Sequence, residues 1–282
     1  MAGVSKEFRG VSSAREASAE ARIRLPRPAR GCALLTIVRN EPVFFPIWLR
    51  YYARFFRPSD IYVLDHGSTD GCTSGEGFVR IPIEHPMVDV LWVRDTVQAY
   101  QHRLLQRYDA VLYVDVDEIV APDPHWGTLG DYIDSFTGEI ARCRGYEIIH
   151  VRDTEPPLDL TRPVMEQRSH WFPNPMYSKP ALARVPLQWT PGFHECRDLK
   201  QEPDPNLYMI HLHRMDYELC KARHHARARA EWDDQNLKLR WYYQMRIQDE
   251  PEFGRWFYGD TVSGGRVSLC IEPVPPHFST LI

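Results

Sequence analysis

The chain of 282 residues is 43% hydrophobic and 26% charged, with a formal net charge of -4 at pH 7, the make-up of a globular protein that buries one main core with additions. The weakly acidic balance, without a basic stripe interleaved with aromatics, excludes a general nucleic-acid surface. No apolar run approaches the ~20 residues needed to cross a bilayer and the N-terminus lacks the apolar core of a secretory signal, so a cytoplasmic protein with no transmembrane segment is expected.

Residues 1–28 are rich in Ala, Ser, Arg and Glu, close at Pro26 and Pro28, and read as a flexible tail. Through residue 30 its seven basic residues (Lys6, Arg9, Arg15, Arg22, Arg24, Arg27, Arg30) exceed its three acids (Glu7, Glu16, Glu20). That excess suits peripheral association with the inner, anionic face of a membrane, although a solvated tail is the simpler reading because no apolar face accompanies the charge.

Cys32–Val38 (CALLTIV) is a continuous apolar run of the kind buried on both faces of a sheet, and it ends at Arg39-Asn40-Glu41. Residues 43–56 can form a helix if Pro46 falls in the first turn, with Arg57-Pro58 as the stop. Residues 61–64 repeat the strand signature and run into Asp65-His66-Gly67-Ser68-Thr69-Asp70-Gly71. A right-handed crossover makes these two strands parallel and brings Asp65 near Asn40 and Glu41. A strand at 88–93 and a helix at 96–108 are expected next. The alternation argues for an α/β protein with a mixed, mostly parallel sheet flanked by helices. No Gly-x-Gly-x-x-Gly follows the first strand and no Gly-Lys-Ser/Thr loop occurs, which disfavours a dinucleotide fold and a P-loop.

The run Ala110-Val111-Leu112-Tyr113-Val114 breaks into Asp115-Val116-Asp117-Glu118, a buried strand ending at acids. If the chain stays extended, Asp115 and Asp117 project to one side, and two hard oxygen ligands at the carboxyl end of a strand suit Mg²⁺ or Mn²⁺. An Asp-x-Asp triplet by itself is more often a solvated turn or a cap, so the weight falls on what else points there.

Beyond it lie a short helix near 129–136, a strand at 141–151 and a Pro-rich segment at 152–205 whose aromatics, Trp171 and Trp189 among them, would select an acceptor. Residues 207–213 return to a strand pattern, in which alternation sets His211 and His213 on one face. A helix capped by Asp216 follows, with Leu219, Ala222, Ala226 and Ala230 at helical spacing and Lys221, Arg223, His224, His225, Arg227 and Arg229 on what reads as a solvated face. The division is thus a tail (1–28), a catalytic-type domain (29–230) and an extension packed on it (231–282). Six cysteines (Cys32, Cys72, Cys143, Cys196, Cys220, Cys270) lie too far apart for a zinc or disulfide framework, and reduced thiols are expected.

Thr36-Ile37-Val38-Arg39-Asn40-Glu41, then Val63-Leu64-Asp65-His66-Gly67-Ser68-Thr69-Asp70-Gly71, then Val114-Asp115-Val116-Asp117-Glu118, together resemble glycosyltransferase family 2 enzymes of the GT-A fold, nearest the subgroups with family 92-like transferases. The resemblance spans roughly residues 30–225. It implies a nucleotide-sugar donor, most simply a UDP-sugar, with Asn40 and Glu41 in the first nucleotide-facing loop and Asp65 against the base or ribose. Asp115 and Asp117 would hold Mn²⁺ or Mg²⁺ on the diphosphate, His211 or His213 would complete the metal shell, and Lys179 and Arg214 would meet the phosphates. An inverting transfer needs a carboxylate base, for which Glu195 comes first and Asp198 second. Two departures stand out: His66 replaces the second acid of the pattern, and no Gln-x-x-Arg-Trp motif occurs, so one hexosyl transfer per turnover to a glycan or other hydroxyl is implied rather than processive synthesis. The same acids could serve a metal-dependent phosphoesterase or nucleotidyltransferase, and a non-catalytic carbohydrate-binding protein is the third reading.

Overall fold

The computed structural model describes residues 31–197, 201–240, 242–262 and 265–282. The basic tail at 1–28 and Asp198 lie outside the described residues.

Strand β1 (Cys32–Val38) forms as its apolar run requires, with Leu34 and Val38 packed to one side and Ala33 and Leu35 to the other. Helix α1 (Phe44–Tyr52) carries Pro46 in its first turn and buries Trp48 and Tyr52. It ends four residues before Phe56, where bonds such as Phe55 N–H to Tyr52 C=O (2.9 Å) tighten the chain into turns. Strand β2 (Ile61–Asp65) lies parallel to β1, with Val38 opposite Asp65, so the polar ends of both strands share one edge. A short strand β3 (Val79–Pro82) adds in parallel beyond β2.

The expected strand at 88–93 is replaced by the start of helix α2 (Val90–Leu104). Asp89 decides this, because its Oδ1 accepts from the N–H groups of Leu91 (2.9 Å) and Trp92 (3.3 Å) and so satisfies the first turn of a helix that Val90 and Val93 alone would not favour.

Strand β4 (Ala110–Tyr113) pairs with β1 in parallel, but the chain does not remain extended through the acids. Glu118 N–H bonds the Asp115 carbonyl at 3.0 Å, closing a turn that sends strand β5 (Glu118–Pro122) into a second sheet. Helix α3 (Leu129–Ser135) follows behind a Thr128–Asp131 capping box. The predicted strand at 141–151 is likewise divided at Cys143, into β6 (Ile140–Arg142) in the first sheet and β7 (Arg144–Ile149) in the second. The Pro-rich segment supplies strands to both, β8 (His170–Pro173) and β9 (Pro180–Ala183). Strand β10 (Leu207–Arg214) and helix α4 (Tyr217–Arg229) come next, then helices α5 (Asp234–Lys238) and α6 (Glu250–Phe257), the hairpin β11 (Gly259–Val262) and β12 (Gly265–Ser268), and β13 (Glu272–Pro273).

The architecture is mixed α/β: a six-stranded sheet in the order β3-β2-β1-β4-β9-β6 and a five-stranded sheet in the order β13-β8-β7-β10-β5, both mixed and flanked by helices. The extension past 230 packs on these sheets: Glu231 C=O accepts from Val88 N–H (2.7 Å), α6 buries Phe253 and Phe257 beside Tyr217 and Cys220, and β13 pairs with β8. The six cysteines are unpaired, and no helix among the described residues is long and apolar enough to cross a membrane.

Two expected faces are reversed. Trp171 and Trp189 are each 2% exposed. Trp171 stacks on Tyr146 at 4.3 Å and Trp189 packs 5.3 Å from Tyr113, so both rings are core and neither is free to stack on a sugar. Along α4 the buried residues are Tyr217, Cys220 and His224, whereas Ala222 and Ala226 are exposed. Part of the face that reads as solvated is turned inward, because Glu41 and Asp117 meet Arg223 there and Glu41 lies near Arg227.

Candidate functional site

Beyond the carboxyl ends of β1 and β4, where the chain passes at 114–117 from the first sheet towards the second, lies a cavity of about 940 Å³. Its wall carries Arg39, Asn40 and Glu41 from the end of β1, Asp115 and Asp117 from the turn, His211 and Arg214 from β10, and Arg223 and Arg227 from α4.

Asp115 and Asp117 lie on the same wall with different partners. Asp115 Oδ1 accepts from the Tyr113 hydroxyl (2.6 Å) and Oδ2 from Lys179 Nζ (2.7 Å). Lys179 also stands 2.6 Å from Glu118 Oε1. Burial works against its ammonium, yet the two carboxylates hold it charged. Lys179 is thus already neutralised within the protein, whatever enters the cavity.

Asp117 is the centre of a second group. Its Oδ2 lies 3.4 Å from His211 Nε2 and 3.5 Å from His213 Nδ1, and it accepts from Arg223 Nη1. Burial alone would raise the Asp117 carboxyl, but Arg223 and His211 hold it well below the ordinary carboxylate range. Behind it, His211 Nδ1 bonds Glu147 Oε1 (3.1 Å) and its ring stacks on Tyr177 at 3.7 Å. Burial disfavours the His211 imidazolium, yet Asp117 and Glu147 together push it up to about 9. His213 is fully buried and pushed down, by burial first, with the Arg223 charge adding to it.

The ligating atoms of Asp117, His211 and His213 fall within 4.8 Å of one another, and Asp115 is not in that group. One carboxylate oxygen and two imidazole nitrogens fit a divalent transition ion such as Mn²⁺, and the Glu147 bond to the far nitrogen of His211 is the support that metal-bound histidines ordinarily have. A second close group, His213, Cys220 and His224, is explained without an ion. Arg223 Nη1 donates to His213 Nδ1 (2.8 Å), which leaves the His213 proton on Nε2 to donate to His224 Nε2 at 2.9 Å.

Arg223 and Arg227 carry no motif, and a basic helix face by itself reads as solvated. Their i, i+4 spacing sets them on one ridge of α4. Arg223 Nε and Nη2 donate to Glu41 Oε1 at 2.9 and 2.6 Å, and Arg227 Nη2 lies 3.5 Å from the same carboxylate. Arg214 is held by aromatic rings and a backbone carbonyl in place of a close carboxylate. Its guanidinium stacks on Trp256 at 4.3 Å, donates to Phe257 C=O (3.3 Å), and has its nearest carboxylate, Glu147, 3.6 Å away.

Two other expected residues are placed elsewhere. Asp65 is 1% exposed and off the cavity wall. Its oxygens accept from Ser68 N–H (2.8 Å), Thr73 Oγ1 (2.8 Å) and Arg80 Nε (2.7 Å), so it braces the loop after β2 and is not open to a base or ribose. Asn40, at φ 53°, does line the cavity and accepts from Thr69 N–H at 2.7 Å, joining the loops after β1 and β2. Glu195 is exposed and absent from the wall, because Thr190 N–H bonds its carbonyl (2.8 Å) in a turn that presents Phe193 and His194 to the cavity instead. Gly192, at φ +86°, makes this possible: a Cβ there would meet the His194 ring at 2.8 Å and Tyr242 Oη at 2.9 Å.

No known family model matches the chain, and no curated protein matches it.

Proposed function

We propose that the protein is a metal-dependent glycosyltransferase of the GT-A fold, related to family 2, that moves one sugar from a nucleotide-sugar donor, most simply a UDP-sugar, to a hydroxyl acceptor with inversion. The observation that carries this reading is the Asp117, His211 and His213 group, supported by Glu147, of which Asp117 and His211 line a cavity beyond the carboxyl ends of parallel strands. The motifs at 36–41, 63–71 and 114–118 give the same reading from the sequence.

Asp117 and His211, with His213 behind them, are the residues that would hold the ion, which would offset the charge gathering on the departing diphosphate. Arg223 and Arg227 border the same place, and their guanidinium donors suit phosphate oxygens. Tyr177 and Glu147 fix the His211 ring from two sides. Among the acids on the wall, Glu41 and Asp117 are held by Arg223 and Asp115 by Lys179. Glu252, in the first turn of α6, forms no ion pair among the described residues and takes the role of acceptor base in place of Glu195.

Calorimetry with UDP and Mn²⁺ tests the reading. We expect binding that needs both the ion and Asp117, and release of nucleoside diphosphate on turnover. Metal-independent binding, or equal binding by Asp117→Asn, would defeat it, and release of inorganic phosphate or pyrophosphate would select phosphoesterase or nucleotidyltransferase chemistry.

A further inference from the structure

We propose that Arg223 is the resident cation of the Asp117 group and couples entry of a divalent ion to entry of a diphosphate. The inference rests on the reading above and adds to it the order in which the site fills. The Arg223 side chain is 8% exposed and lies between two acids. Nε and Nη2 hold Glu41, while Nη1 donates to Asp117 Oδ2 and to His213 Nδ1. Nη1 therefore occupies the point that Asp117 and His213 would both address in an ion. The His213 lone pair cannot accept from Nη1 and ligate at once, and two cations in contact repel strongly in a buried site.

Charge balance gives the direction of the coupling. Glu41 and Asp117 are already met by Arg223 and Arg227, so these four groups are neutral together. A divalent ion arriving alone leaves added positive charge uncompensated, whereas a diphosphate arriving with it removes that excess. Arg223 can then withdraw Nη1 from Asp117, keep Nε and Nη2 on Glu41, and turn its freed donors to phosphate oxygens on the same wall. His213 retains its Nε2 bond to His224 throughout, which keeps the Nδ1 lone pair directed at Asp117. Ion and diphosphate should therefore strengthen each other's binding by the same factor.

The test is titration of the full chain with Mn²⁺, read by the resonance of free Mn²⁺, with and without UDP. Wild type should bind Mn²⁺ alone weakly and roughly tenfold or more tightly with UDP present. Arg223→Gln should bind Mn²⁺ alone more tightly than wild type and lose most of the gain from UDP. Equal wild-type affinity with and without UDP overturns the proposal, as does a folded Arg223→Gln protein that binds Mn²⁺ alone no better. Should Arg223→Gln not fold, Arg223→Lys decides, because lysine keeps the charge without the fork that joins Glu41 to Asp117. Its UDP coupling should fall below wild type, and full coupling there also overturns the proposal. Failure of the underlying reading looks different: no Mn²⁺–UDP binding at all, or binding that Asp117→Asn leaves intact.

Discussion

Lys179 Nζ lies 2.7 Å from Asp115 Oδ2, at the point where the chain leaves the first sheet. Glu118 opens the second sheet 2.6 Å from the same ammonium, so one lysine ties both sides of the turn that sets Asp117 in place. Lys179 is 6% exposed and Glu118 1%, which makes this a buried pair with Asp115 at its partly open end. Removing the cation leaves acids without a partner in low dielectric. Lys179→Met should therefore cost about 3–5 kcal/mol in urea unfolding. A loss below about 1 kcal/mol would show that the triad does not hold the turn.

Glu147 does not line the cavity but fixes His211 through Nδ1. Replacing it by glutamine keeps the volume and removes the charge that stabilises the ring's orientation. Mn²⁺ affinity in the presence of UDP should fall roughly 10–100-fold in Glu147→Gln. His211→Gln should fall at least as far, and an unchanged affinity in either variant would move the metal away from His211.

Trp171 tests the reversed reading of the aromatic segment. Because its ring is packed on Tyr146 and Phe278, Trp171→Ala should cost about 3–5 kcal/mol of stability. Binding of UDP with Mn²⁺ by the protein that remains folded should be unchanged. Weakened sugar binding at unchanged stability would restore the ring as an acceptor platform.

How much of this was legible follows from where local pattern and tertiary position agree. Cys32–Val38, the strand at β2 and the Asp216 cap were readable because a doubly buried strand and a helix start each have a local signature. Asp117, His211 and His213 were also nominated from the sequence, and the fold brings them together. The turn at 115–118 was not readable, since Val114 and Val116 look like strand and the turn is fixed by tertiary partners, Lys179 on Glu118 and Tyr52 Oη on the Glu118 carbonyl (3.2 Å). Arg223 was hidden for a related reason. A basic helix face is ordinarily solvated, and only its acidic partners, 182 and 106 positions away, turn it inward.

Glu252 and Glu195 make opposing predictions for the chemical step. Glu252 lines the cavity, whereas Glu195 is exposed on a turn beside it. Glu252→Gln should lower kcat by roughly 10²–10⁴-fold with little change in UDP affinity, as expected for loss of a general base. Glu195→Gln should stay within about twofold of wild type by the same comparison. The reverse order would return the role to Glu195.

Three histidines, His211 and His224 buried and His194 half-buried, give stability a two-sided dependence on pH. His194 is lowered from 6.5 to about 4, by burial and then by the Lys179 charge. His224 is lowered from 6.5 to about 3, by burial and then by Arg227 and Arg223. Between those values and 6.5 the unfolded chain takes up protons that the folded chain refuses, so stability must fall on acidification through that window. His211 has the opposite sign. Asp117 and Glu147 outweigh its burial and raise it to about 9, so its contribution is complete below 6.5 and is lost as pH rises through 9. Asp117, held below the ordinary carboxylate value, gives up its share only in stronger acid. Urea midpoints of metal-free protein should therefore peak near neutral pH and decline on both sides. His224→Gln should flatten the acid limb and His211→Gln the alkaline one. An acid limb of unchanged slope in His224→Gln would mean that another group governs it.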